Sequence, residues 1–297
     1  MAYLPNWSWT LAKYVNAFDF EKVTHINIAF FNPDTAGNFP PEQGRGVDTI
    51  VAKAHRYNVK VLLSLAGGTD EKQYAKLLKP ENRTAFINKI METVKQYNAD
   101  GIDVDIEGKN IDENYEAFVV ELSKNLKSKG KLITAAVGWW TRAKFTDACL
   151  NAYDFINIMS YATNGPEHTS MDFVKKNLNY WKEERGVPAE KLVVGMAFYG
   201  RCDLNEEKFE TFKYSELLTK YQGAAYQDSI VRSGDGLVIR YNGIPLTKLK
   251  TEFAFKQAGG IMIWQILQDT QDSFSLLNAI NEQIKENEKS YQSNNNH

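Results

Sequence analysis

The residues Ile102-Asp103-Val104-Asp105-Ile106-Glu107 alternate apolar and acidic side chains without a break. Successive side chains of a strand point to opposite faces. As a strand, this segment puts Ile102, Val104 and Ile106 in one layer and lines up three carboxyls on the other face, neighbours about 6 to 7 Å apart. Carboxylates at that spacing in a low-dielectric site cannot all stay ionised, so a proton is retained or shared and at least one pKa rises. A retained proton is what a general acid needs. The stretch from Asp100 to Glu107 also fits two other readings, a solvated strand face and a divalent-ion site, and alternation alone does not choose among the three.

Positioning such a ladder takes a scaffold, and the rest of the chain supplies the pattern of one. Short apolar runs recur at Ala2–Trp7, Thr24–Phe31, Val59–Ser64, Gly101–Glu107, Leu132–Val137, Phe155–Tyr161, Leu192–Tyr199 and Gly260–Trp264. Between them lie segments with apolar residues three and four apart, such as Phe86, Ile90, Val94, Tyr97 and then Phe118, Val119, Leu122, Leu126. A helix from about Met171 has its exit at Arg185-Gly186-Val187-Pro188. Strand alternating with helix predicts an α/β fold, a closed parallel (β/α)8 TIM barrel, with an open doubly wound sheet as the alternative. The longest connection, Cys202 to Ala258, predicts a small insertion between strands seven and eight. It comprises a helix near 214–221 and a hairpin near 237–246 that turns at Tyr241-Asn242-Gly243. A single catalytic-sized domain is expected over 1–285, and the polar residues 286–297 are expected to be a disordered tail.

Composition narrows the function classes. The 297 residues carry 35 basic and 37 acidic side chains, a net charge of -2, with no basic run, so neither nucleic acid nor an anionic membrane is an expected partner. Two cysteines and four histidines (His25, His55, His168, His297) show no ligand-like spacing, so no metal and no cofactor is expected. No stretch reads as a membrane span or a signal peptide, and the first residues enter a strand directly. A barrel carries its chemistry where strands end. The strand ends here offer Asn6-Trp7, Ser64-Leu65-Ala66-Gly67-Gly68, the ladder, Gly138-Trp139-Trp140, Met159-Ser160-Tyr161, Tyr199-Gly200-Arg201 and Trp264-Gln265. Carboxyls ringed by aromatics suit a carbohydrate cleft, because sugar C–H faces stack on rings.

These residues resemble the family 18 glycoside hydrolases, the chitinase family. Asp100 to Glu107 is similar to its DxxDxDxE signature and Ser64 to Gly68 to its SxGG strand. Met159-Ser160-Tyr161 is similar to its Met-x-Tyr, Tyr199-Gly200-Arg201 to its strand-seven element, and Gly259 to Trp264 to its last strand. The resemblance implies a retaining hydrolase of β-1,4-linked N-acetylglucosamine working by substrate assistance, with the sugar's own acetamido oxygen as nucleophile. On that pattern Glu107 is the general acid and base. Asp105 orients the acetamido group, Asp103 shares a proton with Asp105, and Tyr161 donates to the acetamido carbonyl. Trp264 floors the sugar, and Tyr3, Met159, Trp139, Tyr199 and Arg201 line the cleft. Trp139 and Trp140 can each be a sugar platform or loop packing, and Arg201 can touch sugar or neutralise a buried carboxylate. The resemblance also implies a monomer that works in a secreted or periplasmic location on oligosaccharides containing N-acetylglucosamine. Two further activities fit the same scaffold: an endo-β-N-acetylglucosaminidase acting on the chitobiose core of N-glycans, and a non-catalytic lectin. The chain departs from the pattern at Ala162, where many members have Asp, and at Ala66, where they have Gly. The connection after strand seven reads as too short for the full α+β insertion of deep-cleft members, so an open, shallow cleft is expected.

Overall fold

The computed structural model describes residues 1–7, 11–68 and 72–295. Eight parallel strands form a closed barrel: β1 (Ala2–Pro5), β2 (His25–Phe31), β3 (Lys60–Gly68), β4 (Gly101–Ile106), β5 (Leu132–Gly138), β6 (Phe155–Met159), β7 (Leu192–Ala197) and, last in the chain, β12 (Gly260–Trp264). The helices that alternate with them are α1 (Val47–Arg56), α2 (Tyr74–Leu77), α3 (Pro80–Gln96), α4 (Tyr115–Lys127), α5 (Asp147–Ala152) and α6 (Met171–Asn179). After the insertion come α8 (Ile244–Gln257) and α9 (Leu276–Asn295). The closed barrel is the expected fold, and the open-sheet alternative falls away.

The chain divides into two compact units, Met1–Asn157 and Ile158–His297. The division falls inside β6, with no linker, where the sequence predicts one domain. In the first unit, β1 pairs with β2, β2 with β3, β3 with β4 and β4 with β5, all in parallel. Strands covered on both faces read as continuous apolar runs, and β4 is buried at every position, its acids included. Gly101 is required at its start: a Cβ there would lie 2.1 Å from the carbonyl oxygen of Leu132 on β5. The apolar stripes of α3 and α4, headed by Phe86 and Phe118, stack ring on ring at 5.8 Å.

In the second unit, β7 and β12 pair in parallel from Val193↔Gly260 to Ala197↔Trp264. The connection between them holds more than the predicted helix and hairpin. It contains β8 (Tyr199–Asp203), β9 (Phe209–Lys213), α7 (Tyr214–Lys220), β10 (Ser229–Val231) and β11 (Val238–Arg240), the strands forming an antiparallel sheet in the order β10-β11-β8-β9. The sequence reading ran β8 into the end of β7. It also misplaced the hairpin, whose turn lies between Val231 and Val238 and uses Gly234 and Gly236 at positive φ. Asn242-Gly243 instead leads into α8, with Gly243 at its N-cap. The connection thus carries a compact α+β element of its own, one helix and a four-stranded sheet. The segment read as a disordered tail is helical through Asn295 as the end of α9, while residues 296 and 297, His297 among them, lie outside the described residues.

Candidate active site

Register explains why three acids on one strand end up in three environments. Asp103 sits on a rung between Ser64 of β3 and Thr134 of β5. Both hydroxyls donate to it, Ser64 Oγ to Oδ2 at 2.7 Å and Thr134 Oγ1 to Oδ1 at 2.5 Å. Tyr3 adds its hydroxyl to Oδ2 at 2.7 Å and Asn157 its amide nitrogen to Oδ1 at 3.2 Å. Each oxygen thus accepts twice, filling the lone-pair directions of an ionised carboxylate. Burial of this side chain, 0% exposed, pushes its pKa above the usual range while the four donors oppose the shift.

One rung further along, the β3 partner of Asp105 is Ala66, which has no hydroxyl to offer. Asp105 is 4% exposed, and its Oδ1 has no hydrogen-bond partner among the described residues. Burial first, then the negative charge of Glu107 and Asp103, raises this carboxyl well above its ordinary value. Leaving a buried acceptor unpaired costs about 1 to 3 kcal/mol, and a proton or a ligand N–H would complete it. Glu107, just past the end of β4, is half-buried and accepts at Oε2 from Trp140 Nε1 at 3.1 Å. Burial raises its pKa to about 7, against the pull of that bond. At neutral pH the retained proton therefore belongs to the Asp105–Glu107 pair. Asp103, the acid expected to share a proton with Asp105, has both oxygens facing hydroxyl or amide donors, and its charge adds to the upward shift of Asp105.

The other expected residues separate by environment. Tyr3 is not a cleft-lining side chain: it is 1% exposed and spends its hydroxyl on Asp103. Trp139 has the Arg142 guanidinium 3.7 Å over its ring. In the second unit, Tyr161 follows β6, donates to Met262 Sδ at 3.6 Å and meets Tyr199 edge-on at 6.3 Å between centroids. Met159, Tyr161, Tyr199 and Arg201 are all buried, and Trp264 at the end of β12 is half-buried. Arg201 is engaged by a half-buried carboxylate and by neutral acceptors. Its Nε donates to Asp203 Oδ1 at 2.6 Å, Nη1 to the Ala162 carbonyl at 3.2 Å and Nη2 to Asn164 Oδ1, while its plane lies 3.8 Å over Phe209. Ala162 adopts a positive φ of 65° and is held from its other side by His168, whose Nδ1 accepts its N–H at 3.1 Å. Burial, aided by the charges of Arg201 and Lys250, lowers the His168 pKa to about 3, which keeps that nitrogen free of a proton.

Ser64, Thr134 and Asn157 as the setting of Asp103, and Trp140 as the partner of Glu107, were not assigned by the sequence reading. A signal exists for two of them: Thr134 and Asn157 are lone polar residues inside the apolar runs Leu132–Val137 and Phe155–Met159, where a fully buried strand tolerates only a hydrogen-bonded polar group. Among the described residues no group of three or more His, Cys, Asp or Glu side chains is arranged to hold a metal ion.

Comparison with known proteins bears on the family and the fold. The family model for glycosyl hydrolases family 18 matches residues 1–269. The crystal structure of the GH18 chitinase ChiB from the chitin utilization locus of Flavobacterium johnsoniae superposes with a TM-score of 0.84 at 36% identity, covering 95% of this chain and 92% of that one. A chitinase from Bacteroides thetaiotaomicron gives 0.79 at 27% identity, covering 95% and 94%. By sequence, the chain is 24% identical to probable chitinase 10 of Drosophila melanogaster over 96% of its own length, and 29% identical to a chitinase-like effector of Moniliophthora roreri over 67%. It spans only 16% and 57% of the lengths of those two relatives. With the family model matching from the first strand of the barrel past the last, the chain belongs to the glycosyl hydrolases family 18.

Proposed function

We propose that this protein is a retaining hydrolase of β-1,4-linked N-acetylglucosamine, acting on chitin oligosaccharides by substrate assistance. The observation that carries the reading is the Asp105–Glu107 pair: a carboxyl poised at about 7 beside a buried carboxyl with an open oxygen. A general acid works best with a pKa near the operating pH. Glu107 gives its proton to the glycosidic oxygen as the C1–O bond breaks, and the acetamido oxygen of the same sugar closes on C1 to form an oxazolinium ion. Asp105 Oδ1 accepts the acetamido N–H and balances the positive charge that develops. Glu107, now a carboxylate, takes a proton from the water that opens the ring, and the anomeric configuration is retained. Family membership supports giving Tyr161 the hydrogen bond to the acetamido carbonyl and Trp264 the floor under the sugar. A polymeric substrate would place the working protein outside the cytoplasm, and no helix among the described residues is long and apolar enough to cross a membrane.

The test uses the substrate as the variant. A chitooligosaccharide lacking the acetyl group on the sugar that donates the scissile bond is expected to resist cleavage, while the fully acetylated oligomer gives the β anomer first in an NMR time course. Rapid hydrolysis of the deacetylated compound, or α product first, overturns the mechanism. Cleavage of a high-mannose glycoprotein with no action on chitooligosaccharides would move the activity to the N-glycan core. Binding of both substrates with cleavage of neither would make the protein a lectin.

A further inference from the structure

Glu107 has two oxygens in unlike settings. Oε2 accepts from Trp140 Nε1 at 3.1 Å, and no described residue donates to Oε1. An indole N–H is a donor only, and the carbonyl-type oxygen of a carboxylic acid accepts better than its hydroxyl, so this bond favours the proton on the other oxygen. We propose that Trp140 is a positioning residue for the acid–base step, holding the Glu107 proton on Oε1 and then stabilising the carboxylate that remains after transfer. The inference rests on the reading of Glu107 as the acid and deepens it.

Three features hold the indole in place. At Gly138 a Cβ would lie 2.5 Å from the Trp140 ring, so a glycine at the end of β5 is what lets the indole fold back. The segment Trp139–Lys144 is a 3-10 turn stitched internally, with Arg142 Nη1 donating to the Trp139 carbonyl at 2.7 Å. Its far end is tied to the turn that follows the acid: Lys144 Nζ donates to the Gly108 carbonyl at 2.7 Å and to that of Ile111 at 3.3 Å. Glu107 and Trp140 are thus held at a fixed separation by a second connection beside their own bond. In the forward step the proton leaves Oε1 for the glycosidic oxygen, and the electrons of the C1–O bond go to that oxygen. In the return step a water proton comes back to Oε1. Through both, Oε2 keeps its donor, and the bond strengthens as charge appears on the carboxylate. Trp140 is 45% exposed, so the competing role for its ring is that of a sugar platform with no part in the proton transfer. The two roles predict different kinetics.

Trp140→Phe keeps a ring and removes the N–H. The basic limb of its kcat/KM profile is expected to move to higher pH by roughly half a unit, because a bond to the ionised form has been lost, with kcat several-fold lower and KM little changed. Gly138→Ala, which displaces the indole without altering it, is expected to move the same limb in the same direction. Thermal unfolding shows that each variant is folded, and Glu107→Gln is measured beside them. If Glu107→Gln turns over normally, the reading of Glu107 has failed. If it is inactive while Trp140→Phe leaves the basic limb in place, or raises KM alone, the proposal for Trp140 is overturned and its ring is a platform.

Discussion

The acids of β4 and the cations of the second unit meet the same burial penalty with opposite consequences. On β4 burial favours the protonated form, so the carboxyls rise and one proton is kept at neutral pH. In the other region burial again favours the neutral form, so His168 falls to about 3 and Lys250 to about 7. Lys250 is 1% exposed and is satisfied by neutral acceptors, the Thr169 carbonyl and Asn242 Oδ1. Asp203, by contrast, is lifted by burial but lowered overall by the Gly165 N–H and by Arg201, so it stays an anion. The two regions should therefore respond to pH in opposite senses. Glu107 holds a proton when folded that it has lost when unfolded between its ordinary value of 4.5 and about 7, so its contribution to stability falls as pH rises through that window. Lys250 lacks, when folded, a proton it holds when unfolded between about 7 and 10.5, so its contribution rises with pH there.

Ways to break this contrast run from large effects to small. Glu107→Gln should keep the fold and lower kcat at least about a hundredfold, the range for losing a positioned acid, and should unfold at higher temperature than wild type at pH 8. Equal turnover in a folded variant removes Glu107 from the mechanism. Asp105→Asn should lower kcat roughly tenfold or more and move the basic limb of the rate profile down, because one repelling charge on Glu107 is gone. A limb that stays put would mean that the two acids titrate independently. For Lys250→Met, urea unfolding at pH 7 and pH 10 should show that the wild type gains roughly 1 to 3 kcal/mol over that interval relative to the variant. Parallel curves would mean that the amine keeps its ordinary pKa. Thr134→Val removes one of the four donors to Asp103 and should cost a few-fold in kcat and about 1 to 3 kcal/mol of stability. An unchanged rate would show that the other three donors suffice.

The barrel and the ladder were legible because they are written in local periodicity: the alternation from Ile102 to Ile106 is carried by β4, with Glu107 just past its end. What the ladder does was less legible, since register is a property of two strands. Nothing in the sequence around Asp103 or Asp105 says that one faces Ser64 and Thr134 and the other Ala66. Tyr3 was singled out for the right neighbourhood and the wrong role, as a tyrosine at a strand end reads alike whether its hydroxyl meets sugar or a buried carboxylate. In the insertion, the run from Leu192 to Gly200 has no polar break, and only the antiparallel pairing of Tyr199–Asp203 with Phe209–Lys213 shows where one strand ends and the next begins. The helical end of α9 escaped notice because its polar residues have good helix propensity but no apolar stripe to announce it.

The small sheet of the insertion has a bearing on how the protein behaves in a concentrated solution. Its two outer strands are short, Phe209–Lys213 and Ser229–Val231, and the first places Glu210 and Lys213 along the edge. Long, flat, uncharged edges are the ones that recruit a strand from another molecule. The exposed Phe209 has one face covered by the Arg201 guanidinium, and Arg232 beside β10 is bonded to Glu210 and Asp235. Short edges flanked by charge are expected to offer little to a strand from another molecule.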